Sequence, residues 1–156
     1  MAEEVEQKKT KETKDYIFAV GRRREAVARV RLYEAVKEDL SWDETPIKKG
    51  ELYVNAKPIA EYFASDVMRH LYTEPFRITN TQNKFTVTIR VQGGGPKGQL
   101  EAAVAGIARA LSKADSENSK PTLKKNGFLT RDPRTRERRK VGMGGKSRRK
   151  RQSPKR

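Results

Sequence analysis

The sequence predicts an α+β fold: a two-layer domain with helices on one face of a small, mostly antiparallel sheet, followed by a long basic C-terminal tail. Three observations predict it. Residues 26–32 and 84–92 alternate apolar and polar side chains with period two, the mark of half-buried strands. Residues 99–114 carry an apolar stripe of helical period. Residues 120–156 hold 16 Lys and Arg against two acids, Asp132 and Glu137, or +14 of a whole-chain +16. A nearly neutral body therefore carries a cationic arm, and such an arm needs a polyanion to neutralise it.

The elements follow in chain order. Residues 1–14 mix charges with almost no apolar content and read as a disordered extension. The run YIFAV at 16–20 is a strand, 22–25 a basic turn, and 26–32 a second strand, together an antiparallel hairpin. In the second strand Ala26, Ala28, Val30 and Leu32 face the core, and Val27, Arg29 and Arg31 face outward. Residues 33–50 are polar and without period; they read as a surface loop anchored by the only Trp, Trp42. A short strand at 51–54 and a turn at 55–57 lead into a helix over 58–63, with Pro58 in its first turn.

Ser65 caps a second helix over 66–73, whose stripe is Val67, Met68, Leu71 and Tyr72. Arg69 and His70 lie off that stripe and are expected in solvent. In the strand 84–92, Phe85, Val87, Ile89 and Val91 face inward while Thr86, Thr88 and Arg90 face out. A glycine loop at 93–98 opens the helix 99–114, whose stripe is Leu100, Ala103, Val104, Ile107, Ala110, Leu111 and Ala114. Asn118 and Ser119 cap a short helical segment that ends near Gly127. The domain organisation expected is thus an extension at 1–14, a globular body at 15–127 and an extended basic tail at 128–156.

Composition excludes much chemistry. With no cysteine and one histidine, disulfides, thiolate metal sites and histidine clusters are impossible. No apolar run reaches the roughly 20 residues of a membrane span. The early acids Glu3, Glu4 and Glu6 argue against an organelle transit peptide, so a cytosolic protein is expected. The acids are scattered among basic residues, and no nucleophile–base pair has a sequence context. No enzyme, cofactor, metal or catalytic residue is expected.

The loop GGGPKG contains the spacing G-x-G-x-x-G between a strand and a helix, as in dinucleotide-binding units. That fingerprint also needs a second parallel strand ending in an acid about 20 residues on. Asp115 and Glu117 sit instead in a polar stretch at a helix end. A loop whose amides approach an RNA phosphate uses the same physics and is preferred. The strong signals are basic clusters: GRRR at 21–24 with Arg29 and Arg31 beyond it, RDPRTRERRK at 131–140, and KSRRKRQSPKR at 146–156. Arginine forks bind phosphate oxygens bidentately. A solvated tail or a nuclear address would account for the last cluster alone; three clusters in one chain favour RNA. The RNA-binding set is Arg22, Arg23, Arg24, Arg29, Arg31, Gly93, Gly94, Gly95, Lys97, Arg131, Arg134, Arg136, Arg138, Arg139, Lys140, Lys146, Arg148 and Arg149. Two competing readings are a nucleotide-dependent enzyme using the glycine loop and a free-standing, non-specific nucleic-acid binder.

At GRRREAVARVRL, LYVNAKPIAEYF, VQGGGPKGQLEAAVAGIARAL and LKKNGFLTRDPRTRERRKVG the chain resembles the ninth-protein family of the small ribosomal subunit, with a bacterial-type pattern. The resemblance runs from Tyr16 to the C-terminus, excluding 33–50. It implies a domain like the second domain of ribosomal protein S-five, bound to small-subunit rRNA in the head. It implies a tail threading through that RNA, with Lys155 and Arg156 near the anticodon stem-loop of peptidyl-site tRNA. Neighbouring head proteins would be further partners; no membrane and no homo-oligomer are expected. Arg131, Asp132, Pro133 and Arg134 match the family's motif near the tail's departure from the body. Two departures from the family pattern are Ser153–Pro154, where relatives carry an aromatic before Ser-Lys-Arg, and a longer 33–50 segment.

Overall fold

The computed structural model describes residues 16–34, 41–42, 45–136 and 138. Its first hairpin pairs β1 (Ile17–Arg23) with β2 (Ala26–Tyr33) across a two-residue turn. The strand therefore runs on through Arg22 and Arg23, and only Arg24 and Glu25 turn. Arg24 sits at φ 50°, the left-handed conformation that tight hairpin turns demand. Two short strands, β3 (Ser41–Trp42) and β4 (Thr45–Pro46), form a separate small hairpin within the segment read as a loop. Next come β5 (Leu52–Val54), β6 (Lys57–Pro58), α1 (Ile59–Tyr62), α2 (Asp66–Ile78), β7 (Thr86–Gln92), α3 (Pro96–Ala114) and α4 (Ser119–Lys125).

The main sheet has the order β1-β2-β7-β5-β6, antiparallel except for β5 against β7. Asn55 extends that parallel pairing past the end of β5. Its backbone N–H donates to the Ile89 carbonyl at 3.0 Å, its side-chain amide donates to the Val91 carbonyl, and the Val91 N–H donates back to Oδ1 at 2.9 Å.

One face of the sheet is covered by α3, as the apolar stripe predicts. Ala26, Ala28, Val30 and Leu32 are fully buried against it, together with Val87 and Ile89 from β7. Leu100, Ala103, Ile107, Ala110 and Leu111 are buried, with Leu123 of α4 and Phe63 completing the core. The buried surface of α3 is wider than the predicted stripe, because Ala102, Gly106 and Ala108 are also inside. Two glycines allow that approach. A Cβ on Gly21 would strike the Ala102 carbonyl, and one on Gly106 would lie 2.6 Å from Val30 Cγ2. At the sheet edge, Arg109 and Lys113 of α3 donate to the outward carbonyls of Val20 and Phe18, both at 2.8 Å. Those bonds blunt an otherwise unpaired edge strand.

Helix α2 departs from its sequence reading. It continues through Pro75 to Ile78, and its buried face is Tyr72, Pro75 and Phe76 with Met68 half-buried. Val67 and Leu71, expected on the stripe, are exposed, Val67 at 70%. Positions 68, 72 and 76 form one helical row, and the bulk of Phe76 draws that row inward. Ser65 occupies the N-cap position but makes no side-chain cap bond. Pro58 precedes α1 as its N-cap and belongs to β6.

The other face of the sheet is only half covered. Thr86 and Thr88, expected to face out, are buried at 1% and 5% exposure. The segment before β5 folds over them: the Gly50 N–H donates to Thr86 Oγ1 at 2.9 Å. Tyr53 on the same face donates to Glu51 Oε2 at 2.6 Å and accepts from the Lys48 N–H. Burial, reinforced by that carboxylate, raises the Tyr53 pKa.

Candidate nucleic-acid interface

The basic residues of the body gather in three places. The first is the β1–β2 turn, where Arg22 and Arg24 project into solvent. Beside it lies the glycine loop. Gly93 (φ 72°) and Gly94 (φ 66°) adopt left-handed backbone and press on the turn; a Cβ on Gly93 would strike the Glu25 carbonyl. Gly95 is the N-cap of α3, with open space beyond it, and Lys97 is exposed on the first helical turn. The loop thus presents a helix N-terminus and a cation next to the arginine turn, a suitable anion-facing arrangement.

The same geometry disposes of the dinucleotide-binding reading. β7 has β2 and β5 as its neighbours, and its one parallel neighbour precedes it in the chain. Among the described residues no strand follows α3; Asp115 instead organises the approach to α4. Its Oδ1 accepts the N–H groups of Glu117 and Asn118, which lowers its pKa.

The second place is the root of the basic segment. Phe128 and Leu129 pack against the core after α4. Asp132 then pairs with two arginines. Arg134 clasps it through Nε at 3.0 Å and Nη2 at 2.6 Å, and the Arg134 backbone N–H donates to Oδ1 at 2.9 Å. Arg23 reaches it through Nη2 at 3.0 Å. The Arg134 hydrogen bonds and the two guanidinium charges hold the Asp132 carboxyl well below the usual range. Arg23 also pairs with Glu101 of α3 at 2.5 Å and donates to the Arg134 carbonyl at 3.0 Å. Its guanidinium is committed to protein partners and only 12% of its side chain is exposed. Arg131, Arg136 and Arg138 are exposed, and the Arg134 side chain is 81% exposed beyond its Asp132 contact.

The third place is the uncovered half of the sheet, where Arg29 and Arg31 project from β2. Arg90 of β7, absent from the RNA-binding set read from sequence, stands directly opposite Arg29 in the strand register. Period-two alternation in the two strands was the signal that would have found it. Arg139, Lys140, Lys146, Arg148, Arg149, Lys155 and Arg156 lie outside the described residues, as does the 1–14 extension. Among the described residues no group of acids and histidines is placed to hold a metal ion.

A family model described as ribosomal protein S9/S16 matches residues 21–156. The chain is also similar to the small ribosomal subunit protein uS9 of Leifsonia xyli subsp. xyli (strain CTCB07), at 44% identity over 125 residues, covering 80% of this chain and 67% of that protein. The small ribosomal subunit protein uS9 of Renibacterium salmoninarum (strain ATCC 33209 / DSM 20767 / JCM 11484 / NBRC 15589 / NCIMB 2235) is 42% identical over 125 residues, with the same coverage of each.

Proposed function

This chain belongs to the ribosomal protein S9 family, and we propose that its body and basic arm bind rRNA in the head of the small subunit while the end of the arm meets peptidyl-site tRNA. Membership makes the protein a structural, non-enzymatic constituent of the small ribosomal subunit. Its setting is the cytoplasmic ribosome, with rRNA and neighbouring head proteins as partners. The body over 15–127 docks; the arm over 128–156 takes its path from the phosphates around it. Its own contacts cannot offset the entropy of ordering so charged a chain.

The observation that carries this reading is the charge distribution inside the matched span. Residues 1–119 carry +2 and residues 120–156 carry +14, with all of the latter inside the family match. Arg22, Arg24 and Lys97 of the body are exposed, as are Arg131 and Arg136 at the root of the arm, where Asp132 pairs with Arg23 of β1. Lys155 and Arg156 end the arm, and a contact from them to tRNA phosphate is independent of tRNA sequence. That suits a site every elongator tRNA visits.

Two measurements test the proposal. The full chain is expected to co-sediment stoichiometrically with small subunits after a high-salt wash; loss in the wash would return it to a free-standing nucleic-acid binder. Deleting residues 153–156 is expected to leave assembly intact and to weaken peptidyl-site tRNA retention. Unchanged tRNA affinity in subunits carrying the truncated chain would remove the tRNA role.

A further inference from the structure

Arg23 carries the same charge as its neighbours Arg22 and Arg24 but stands on the inner side of the strand. Along β1, Ala19, Gly21 and Arg23 share the face turned to α3, whereas Arg22 is exposed on the opposite one. Each of the three guanidinium nitrogens has a different protein target. Nε donates to Glu101 Oε2 of α3, Nη1 to the Arg134 carbonyl and Nη2 to Asp132 Oδ2. One side chain thus joins β1, α3 and the start of the basic arm.

The segment it holds is already a turn. Pro133 has a fixed φ and no N–H, and it disfavours helical backbone at Asp132. Asp132 Oδ1 accepts the Arg134 N–H at 2.9 Å, the bond by which an aspartate closes a turn two residues on. Upstream, Gly127 at φ 78° ends α4, the Phe128 N–H donates to the Leu123 carbonyl at 3.1 Å, and Phe128 and Leu129 pack on the core. Packing at 128–129 alone would let the chain swing about Thr130 and Arg131. The contacts to Asp132 and Arg134 remove that freedom.

Charge separates this role from a phosphate contact. Arg23 and Arg134 stand with Asp132 and Glu101, two cations with two anions, a neutral knot amid the exposed Arg22, Arg24 and Arg131. A phosphate at Arg23 would meet both carboxylates.

We propose that Arg23 is the positioning residue of the arm: its forked guanidinium ties the turn at 132–134 to β1 and α3, and so fixes the direction in which the arm leaves the body. The fork matters because the three targets lie in three directions; lysine keeps the charge but offers a single nitrogen. The turn at 22–25 and the start of the arm are then presented together, with that part of the ordering done at folding and not at binding. This inference rests on the RNA-binding reading above for its purpose, while the geometry belongs to the free chain.

The chain has no cysteine, so Ser116→Cys and Thr135→Cys, both at exposed positions, accept a pair of spin labels in the full chain. With Arg23 in place the distance distribution is expected to be single and narrow. Arg23→Gln and Arg23→Lys are both expected to broaden it. Both are also expected to speed amide exchange over 128–134 by about tenfold, the loss of a charge-assisted hydrogen bond, while the core amides of α3 stay protected. Asp132→Asn is expected to broaden the distances as well, and Arg23→Gln added to it is expected to do much less than it does alone. Narrow distances and full protection in Arg23→Lys would overturn the proposal, because charge alone would then suffice. Distances unchanged in Asp132→Asn would overturn it even where an Arg23 variant fails to fold, and so would full additivity of the two changes. Co-sedimentation of the unaltered chain with small subunits is read separately, so failure of the positioning role is distinguishable from failure of the ribosomal reading.

Discussion

The two faces of the β1–β2–β7 sheet obey opposite rules although they are built from the same three strands. On the α3 side every inward residue of β2 is apolar and fully buried, and the backbones approach so closely that Gly21 and Gly106 admit no Cβ. On the other side the same strand presents Arg29 and Arg31 to solvent, opposite Arg90 and Thr88. Strand periodicity sorts them: one residue inward, the next outward. The difference shows that stability and charge presentation are separable here, and substitutions on the two faces should behave accordingly.

The largest effect belongs to the packed face. Ile107 is fully buried between α3 and the sheet. Ile107→Ala removes its contacts and leaves a cavity, costing about 2–5 kcal/mol. Urea denaturation followed by circular dichroism measures it, and a loss below about 1 kcal/mol would mean that α3 does not anchor the core. The next effect is overpacking. Gly106→Ala places a methyl 2.6 Å from Val30 Cγ2 and 3.2 Å from the Gly21 amide nitrogen. Since Gly106 is helical, alanine would ordinarily stabilise it by up to about 1 kcal/mol. The clash is expected to win, with a net loss of about 1–3 kcal/mol in the same assay. A stabilised variant would show that the two glycines are a convenience of sequence and not a packing requirement.

A local effect comes third, at the root of the arm. Asp132 carries a depressed pKa because Arg134 and Arg23 favour its charged form. A carboxylate depressed on folding stabilises the folded arrangement above its unfolded pKa, near 4, and loses that contribution as pH falls through the folded value. Amide exchange over residues 128–136 is therefore expected to rise as pH is lowered below about 4, after correction for intrinsic rates, while the core amides of α3 stay protected. Asp132→Asn should raise exchange in the same residues at neutral pH. Uniform protection in the variant would sever the link between the ion pairs and the arm's attachment.

Much of this was legible in the chain. The alternation in 26–32 and 84–92 specified which arginines face out, and the stripe in 99–114 named most of the helix's buried side. In α2 the sequence was ambiguous. Val67/Leu71 and Met68/Tyr72 form adjacent rows of equal apolarity, and only Phe76, beyond a proline that ordinarily ends a helix, decides between them. The commitment of Arg23 was not legible at all. Its partners Glu101 and Asp132 lie 78 and 109 positions away, and a charge count cannot tell a paired arginine from a free one. The same blindness applied to the glycine in GRRR. Gly21 read only as the boundary of the first strand, whereas its lack of a side chain admits the Ala102 carbonyl. The half-covered sheet face was missed because residues 33–50 have no period, although Ile47 and Tyr53 are buried there.

The smallest effect is the sharpest test of the contrast between faces. Arg29→Gln removes one member of the Arg29–Arg90 pair on the open side. The residue is exposed, and glutamine keeps a polar side chain at the same position. With one of two opposed like charges gone, stability is expected to stay level or rise by a few tenths of a kcal/mol. Added salt should shrink the difference from the parent chain, because screening weakens the repulsion being relieved. Thermal melting at low and moderate ionic strength reads both quantities. A clear loss of stability at low salt would mean that Arg29 makes a stabilising contact of its own, and the two faces would no longer divide cleanly into one that holds the fold and one that holds charge for a partner.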